Sequence, residues 1–334
     1  SDQSYDFELV LVNDGSTDAT GKVMDGFAHH AQVSVIHQKN GGKHVALNAG
    51  IDAAKDAEIV GCLDADSFVH KDALREMISC FDDPEVGATT AAMSVHKPTN
   101  LLERMQNAEY IMGIALRHIL AAVNGIYVTP GPFSLYRRDI IEKIGGFRHG
   151  HHTEDMEMAL RMQQQGYKID SAPKARVETA TPRSVPSLVK QRTRSTTGFL
   201  RNMLYEYRGL VGNPRYGALG LIVLPLGFFA IIGGILMFGI VIYQLVKEGI
   251  NTFLIASGVP FDYTVSTIVP KLGAIEWFYF PLTLFTLLAV VAVVGSILFV
   301  LVGRKISHTP AYLGVGILGY MFVYGLIAPL WLVR

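Results

Sequence analysis

The chain has 334 residues, 29 basic and 29 acidic side chains, and a half that is hydrophobic. A formal net charge of zero argues against a nucleic-acid partner held by a basic face. Two cysteines, Cys62 and Cys80, exclude a disulfide scaffold and fit a reducing compartment. The chain begins at Ser1 with no leader pattern and reads as a piece of a longer protein.

Residues 7–12 read as an apolar strand ending in Asn13-Asp14-Gly15-Ser16-Thr17-Asp18. Ser16 or Thr17 then caps a helix running to about residue 28. Residues 33–37 form a second strand, Lys39-Asn40-Gly41-Gly42-Lys43-His44 a glycine loop, and residues 45–54 a helix. Residues 59–63 are a third strand running into Asp64-Ala65-Asp66. This alternation predicts a parallel sheet, whose ligands bind at the carboxyl ends of its strands. Asp14, Lys43, Asp64 and Asp66 all fall at or just after such ends. On an extended backbone Asp64 and Asp66 aim at one face. They repel unless a cation is near, and Mg²⁺ carrying a diphosphate is the natural guest. Two ordinary surface acids at a solvated strand end are the alternative. Gly41-Gly42-Lys43 lacks the G-x-x-x-x-G-K-[ST] spacing, which excludes a Walker ATPase. Its N–H groups and ammonium can approach a diphosphate, or it is a plain turn with a surface lysine.

Residues 72–81 read as a helix and 87–95 as a strand. Residues 101–123 form a long amphipathic helix, packed on the core or lying at a membrane surface. Pro130-Gly131-Pro132 makes a stiff turn before a strand over 133–136 and a helix over 139–144. His149, His151 and His152 match no zinc spacing and read as a solvated loop, with one of them a spare ligand for a metal at Asp66. A helix follows over 156–165, with Thr153 as its candidate cap. Glu154 and Asp155 lie in its first turn, where negative charge is favourable in any case. Further on, Gln191 and Arg194 share a helix face with Arg192 beside them. Arginines there suit a phosphate ligand or anionic lipid.

Residues 218–246, 277–302 and 310–333 are apolar runs, each long enough for a hydrocarbon core of ~30 Å, which needs about 20 residues. Arg304 and Lys305 place the loop over 303–309 on the cytoplasmic side, as do Arg192, Arg194, Arg201, Arg208 and Arg215 for the stretch before the first run. The loop over 247–276 then faces outward.

Five motifs occur in order: Val12-Asn13-Asp14-Gly15-Ser16-Thr17-Asp18, Asn40-Gly41-Gly42-Lys43, Asp64-Ala65-Asp66, Thr153-Glu154-Asp155 and Gln191-Arg192-Thr193-Arg194. Together they resemble a membrane-embedded, inverting family 2 glycosyltransferase, a group that includes cellulose, hyaluronan and poly-N-acetylglucosamine synthases. The resemblance implies an α/β fold: a GT-A nucleotide-sugar-binding domain with a Rossmann-like mixed sheet, over residues 1–190, on the cytoplasmic side. An amphipathic interface segment over 191–216 and a region of three transmembrane helices over 217–334 would follow, in the cell membrane. It further implies a UDP-sugar donor, UDP-GlcNAc-like, a polysaccharide or lipid-linked acceptor, and Mg²⁺ or Mn²⁺. Asp14 and Lys43 would bind the uridine diphosphate, Asp64 the nucleotide sugar and Asp66 the metal. Asp155 would be the general base. Gln191, Arg192 and Arg194 would hold the donor's diphosphate, and Gly131, Phe133 and Glu154 the acceptor. The chain departs from the family in two ways. Polymerising relatives carry Trp where Ser195 stands, so processive synthesis is not implied. The family's first sheet strand also lies before the present start. Transfer to a lipid or polyprenyl phosphate, or an inactive membrane protein that binds sugar nucleotides, are the alternatives.

Overall fold

The computed structural model describes residues 5–258, 284–309 and 314–333. β1 (Leu9–Asp14) and β2 (Val33–Gln38) form a two-stranded parallel sheet with Asp14 opposite Gln38. Between them α1 (Thr20–Asp25) is shorter than the sequence suggests, and Asp18 rather than Ser16 or Thr17 accepts the Thr20 N–H at its start, 2.9 Å away. α2 (Lys43–Ala53) leads to β3 (Ile59–Cys62) and then β4 (Ser67–Val69). These two join β5 (Val86–Val95), β6 (Ser134–Arg137) and β7 (Lys168–Thr179) in a five-stranded sheet of order β3-β6-β5-β7-β4. Only β5 and β7 run parallel in it. The sheet is thus mixed, as the family resemblance implies; helix–strand alternation alone suggested parallel strands, but β6 enters antiparallel between β3 and β5. α2 packs on both sheets. An added Cβ on its Gly50 would lie 3.5 Å from Val12, while Leu47 and Ile51 join Val60 and Cys62 in the core.

Side chains alternate across the five-stranded sheet. Ala88, Tyr136 and Ile169 face α5 (Arg138–Ile144) and α6 (Glu154–Gln164), whose Ile140, Ile141, Met158 and Met162 are buried with them. Ala91, Leu135, Ala172 and Val177 face α3 (Ala73–Ile78) through Met77. Full burial of each such Ile or Met stabilises by about 1.5–3 kcal/mol.

α4 (Leu101–Ala122) starts at a capping box, with Asn100 accepting from the Glu103 N–H and Glu103 reaching back to Asn100. It lies between the sheet and two apolar helices, α9 (Leu284–Ser307) and α10 (Gly314–Leu332). Glycines make the close approach possible. Gly303 rests on the Ile111 backbone, and an added Cβ on Gly316 would meet the Arg104 carbonyl at 2.5 Å. The amphipathic face thus serves both the core and the membrane helices. α7 (Val185–Arg201) runs on into a π-helical turn, Asn202–Glu206, and α8 (Leu224–Ser257) follows. The expected domain boundary at 190/191 falls inside α7.

Three helices, Leu219–Leu254, Leu287–Ser307 and Gly314–Leu332, are long and apolar enough to cross a membrane. α8 continues to Ser257, beyond the expected end of the first run at 246. Most of the expected outward loop, from 259 on, and the starts of the second and third runs lie outside the described residues.

Candidate active site

Four chain segments converge at the ends of β3 and α2. Lys43 is the first residue of α2, and its Nζ lies 2.6 Å from Asp64 Oδ1 and 3.3 Å from Glu154 Oε1. Glu154 and Asp155 open α6, which places both carboxylates at the positive end of a helix. Gly131 stands against the pair, since an added Cβ would lie 2.7 Å from both Asp64 Oδ2 and Lys43 Nζ. A side chain at 131 would displace the ion pair, so glycine is required by close approach. Thr129 fastens this segment to α6: its N–H and Oγ1 both donate to the Asp155 carbonyl, at 3.4 and 2.9 Å.

The electrostatics of the cluster differ from group to group. Burial works against the charge of Lys43, but Asp64, Glu154 and Asp155 outweigh it and push the ammonium up to about 12. Burial, reinforced by Glu154, pushes the Asp155 carboxyl up to about 6, with Lys43 and the Met156 N–H pulling the other way. A carboxylate poised there suits a general base working near neutrality. Burial raises the Cys62 thiol to about 12, which makes it an inert core group.

Asp64-Ala65-Asp66 is a turn and not a strand end. β3 stops at Cys62, and the Ser67 N–H donates to the Asp64 carbonyl at 3.0 Å. The two carboxylates therefore diverge from the one-face arrangement an extended chain would impose. Asp64 goes to Lys43, while Asp66 is exposed and, among the described residues, accepts from the Ser67 and Thr179 hydroxyls, each at 3.3 Å. Among the described residues no group of three or more His, Cys, Asp or Glu side chains could hold a metal. The histidines of the 149–152 loop do not complete such a set. His149 instead packs edge-on against His44 and His152.

Other predicted site residues lie in different settings. Asp14 clamps the glycine loop. It accepts from Gln38 and Gly41 through Oδ1 and from Gly42 through Oδ2, at 2.7, 2.9 and 2.9 Å, and the Gln38 bond in particular holds its carboxyl below the ordinary value. Phe133 is only 8% exposed and is buried with Met77, Leu135 and Ala175, so its ring belongs to the core and not to an acceptor surface. Arg192 is not brought to the cluster. Its Nη2 donates to Glu109 Oε2 of α4 at 2.7 Å, and Tyr324 of α10 donates to the same oxygen at 2.7 Å. Gln191 Oε1 is buried with no partner, and Arg194 is exposed.

Nothing in the motif spacing marks Asn202 or Tyr207, yet both hold the site. Asn202 donates to Thr153 Oγ1 at 3.1 Å, and the Tyr207 hydroxyl donates to Glu157 Oε1 at 2.6 Å. Gly198 packs directly on Thr153. A glycine inside a helix costs about 1 kcal/mol relative to alanine, and that local cost was the one legible hint of close packing. Through these contacts the segment leading to the membrane grips the turn that carries Glu154 and Asp155.

Residues 2–198 match the sequence family described as "Glycosyltransferase like family 2". The chain belongs to this family. It is 31% identical over 215 residues to the poly-beta-1,6-N-acetyl-D-glucosamine synthase of Staphylococcus aureus (strain COL), covering 63% of this chain and 51% of that one. The corresponding synthase of Staphylococcus epidermidis is 29% identical over 203 residues, covering 60% and 49%. The chain thus spans about half the length of the curated relatives it matches. Among solved structures, the mannosyltransferase PcManGT from Pyrobaculum calidifontis, in complex with GDP-Man and Mn²⁺, superposes with a TM-score of 0.51 at 18% identity, covering 96% of this chain and 81% of that one. The fold is that of a mixed α/β glycosyltransferase domain with three apolar C-terminal helices.

Proposed function

We propose that the protein moves a sugar from a uridine diphosphate sugar, N-acetylglucosamine in the first instance, to a hydroxyl of a growing saccharide at the cytoplasmic face of the cell membrane. The observation that carries this reading is Asp155, partly buried at the start of α6 and raised to about 6 beside the Lys43–Asp64–Glu154 cluster. Asp155 takes the acceptor proton as the acceptor oxygen attacks the anomeric carbon, and the bond to the diphosphate breaks on the opposite face, giving a β-linkage. Lys43 offers its ammonium to the departing diphosphate, and Asp64 keeps that ammonium in place and contacts the sugar. Asp14 shapes the loop against which the nucleotide lies. Glu154 faces the acceptor, and Gly131 keeps the space beside Asp64 open. Arg194, which is exposed, and Gln191 complete the donor contacts.

A hard divalent ion fits the donor set. Asp66 presents an exposed, loosely engaged carboxylate, and Mg²⁺ or Mn²⁺ takes one or two carboxylates plus phosphate oxygens and water. Asp66 would hold it, and the ion would neutralise charge on the diphosphate. The solved neighbour's Mn²⁺ supports a divalent ion, and the relatives' name supports N-acetylglucosamine as the sugar.

Transfer to a lipid-linked acceptor is the second reading. Ser195 favours it, because serine offers a saccharide chain almost no apolar platform. The test is nucleotide release by membranes holding the full chain, given UDP-GlcNAc, UDP-glucose or GDP-mannose, with and without a chelator. Release from UDP-GlcNAc that the chelator abolishes is expected. Release from GDP-mannose alone would overturn the donor assignment, and none from any donor would overturn the activity.

A further inference from the structure

Arg117, on the C-terminal half of α4, carries a guanidinium of which two nitrogens have no hydrogen-bond partner among the described residues. Its Nε and Nη2 are buried and make no hydrogen bond, and among the described residues no carboxylate pairs with it. Burial lowers it to about 10, so it remains charged at neutral pH. A buried, unpaired charge is costly, and a fold keeps one only when something compensates. The groups that act on its charge are the phenols of Tyr110 and Tyr127. The acids of the catalytic cluster act on Lys43 and not on Arg117, so it is not their counter-ion.

Tyr127 meets Phe199 of α7 edge-on, with ring centroids 5.9 Å apart. Phe199 in turn rests on Gly227 of α8, where an added Cβ would lie 3.0 Å from the ring. Tyr127, whose phenol acts on Arg117, therefore lies against α7 where that helix meets the first membrane helix. Next to Arg117 along α4, Leu116, Ile119 and Val123 are exposed apolar side chains at helical spacing. Gly113, one turn away, leaves room for the guanidinium, its absent Cβ lying 3.4 Å from Nη1. On α7, positions 192, 195 and 199 share a face. Arg192 and Phe199 both reach toward α4 and Tyr127, so Ser195 lies on that same face and adds little bulk to it.

We propose that Arg117, with the hydroxyls of Tyr110 and Tyr127, is a subsite for a lipid-borne phosphate entering from the membrane seam. A guanidinium takes two phosphate oxygens in a fork, and two phenols can add donors. The exposed apolar stripe suits the chain that carries the phosphate. The inference rests on the membrane-face transferase reading and names the chemistry of its acceptor side.

The test uses the full chain in nanodiscs, with nucleotide binding as the folding check in each preparation. The probes are a polyprenyl phosphate, the matching polyprenol without phosphate, phosphatidylglycerol and inorganic phosphate. Wild type should prefer a phosphate-bearing lipid over the polyprenol by about tenfold or more, the range of a charge-assisted hydrogen bond. Arg117→Gln should lose that preference, and Arg117→Lys should keep part of it. Arg117→Met should lose binding and raise the melting temperature, because it removes an unpaired buried charge; a purely structural arginine would lower it. Retention of polyprenyl phosphate identifies an acceptor, and retention of phosphatidylglycerol in its place identifies a resident lipid. Either supports the subsite. Equal binding of polyprenol and polyprenyl phosphate by wild type, or unchanged lipid binding by Arg117→Gln, overturns it, and so does competition by inorganic phosphate alone with no lipid bound. Absence of nucleotide release would instead strike the transferase reading, and lipid binding would still be scored by itself.

Discussion

In the proposed mechanism the chemistry turns on Asp155. Asp155→Asn should abolish transfer while nucleotide affinity stays within about twofold, since base catalysis acts on the acceptor. Turnover and nucleotide titration in one preparation check it. The carboxyl must be ionised to accept a proton, so activity should rise with pH through about 6. Glu154 contributes to that raised value, so Glu154→Gln should move the acidic limb to lower pH. The effect on stability has the opposite sign. This carboxyl's contribution to folding is full below its ordinary value of 3.8 and is lost as pH rises through about 6. Gly131 makes a second residue-scale prediction. Gly131→Ala drives a methyl between Asp64 and Lys43 and should cut transfer by about tenfold or more, as misplacement of a site group does. Unchanged rates in Gly131→Ala would show that the ion pair shifts without cost.

At the scale of elements, α4 depends on its first turn. Burial alone would raise the Glu103 carboxyl, but Thr99, the Asn100 N–H and Arg183 bring it down to about 2. Its contribution is present above the ordinary value of 4.5 and is lost as pH falls toward 2. Glu103→Gln should destabilise by about 1–3 kcal/mol at pH 7, with most of the loss gone at low pH, as denaturant melts at both pH values would show. The apolar periods were legible in the sequence, and α4, β2 and β5 lie close to where the pattern put them, whereas the Asn100–Glu103 box went unread and the expected cap Thr153 makes no side-chain cap bond. β7 was not legible. Its core face is interrupted by Pro173 and Lys174, and the structure shows why that is tolerated. Ala91 pairs with Ala172 but Ala92 pairs with Arg176, so residues 173–175 bulge out of the ladder, where a proline costs no hydrogen bond. β4 is three residues long and has no period to detect. The Asp64–Asp66 turn misled for a related reason: an apolar strand followed by Asp-x-Asp looks continuous until Asp64 is seen paired with Lys43. The family motifs found the cluster residues. They could not show that Arg192 is spoken for or that Phe133 is core, because both facts depend on partners distant in sequence.

The whole molecule is tied together where Glu109, Arg192 and Tyr324 meet. One carboxylate oxygen of α4 holds an arginine of α7 and a tyrosine in the π-helical turn of α10. Burial works against the charge on Arg192, and Glu109 more than restores it. Removing Glu109 alone leaves a largely buried guanidinium unpaired, which costs on the order of 3 kcal/mol. Two roles for Arg192 then make opposite forecasts. If it holds the donor diphosphate, Arg192→Lys should raise the donor KM and Tyr324→Phe should leave it alone. If the triad instead sets α7 against the membrane helix, Tyr324→Phe should lower kcat at constant donor KM, and Glu109→Ala combined with Tyr324→Phe should be no worse than Glu109→Ala alone. The present geometry predicts the second pattern, because both donors share Glu109 Oε2. A double-mutant cycle on Glu109 and Tyr324, read in both kcat and donor KM, decides between them. Additive losses would mean that the carboxylate and the phenol act separately, and a donor KM that rises with Arg192→Lys alone would return that arginine to the diphosphate.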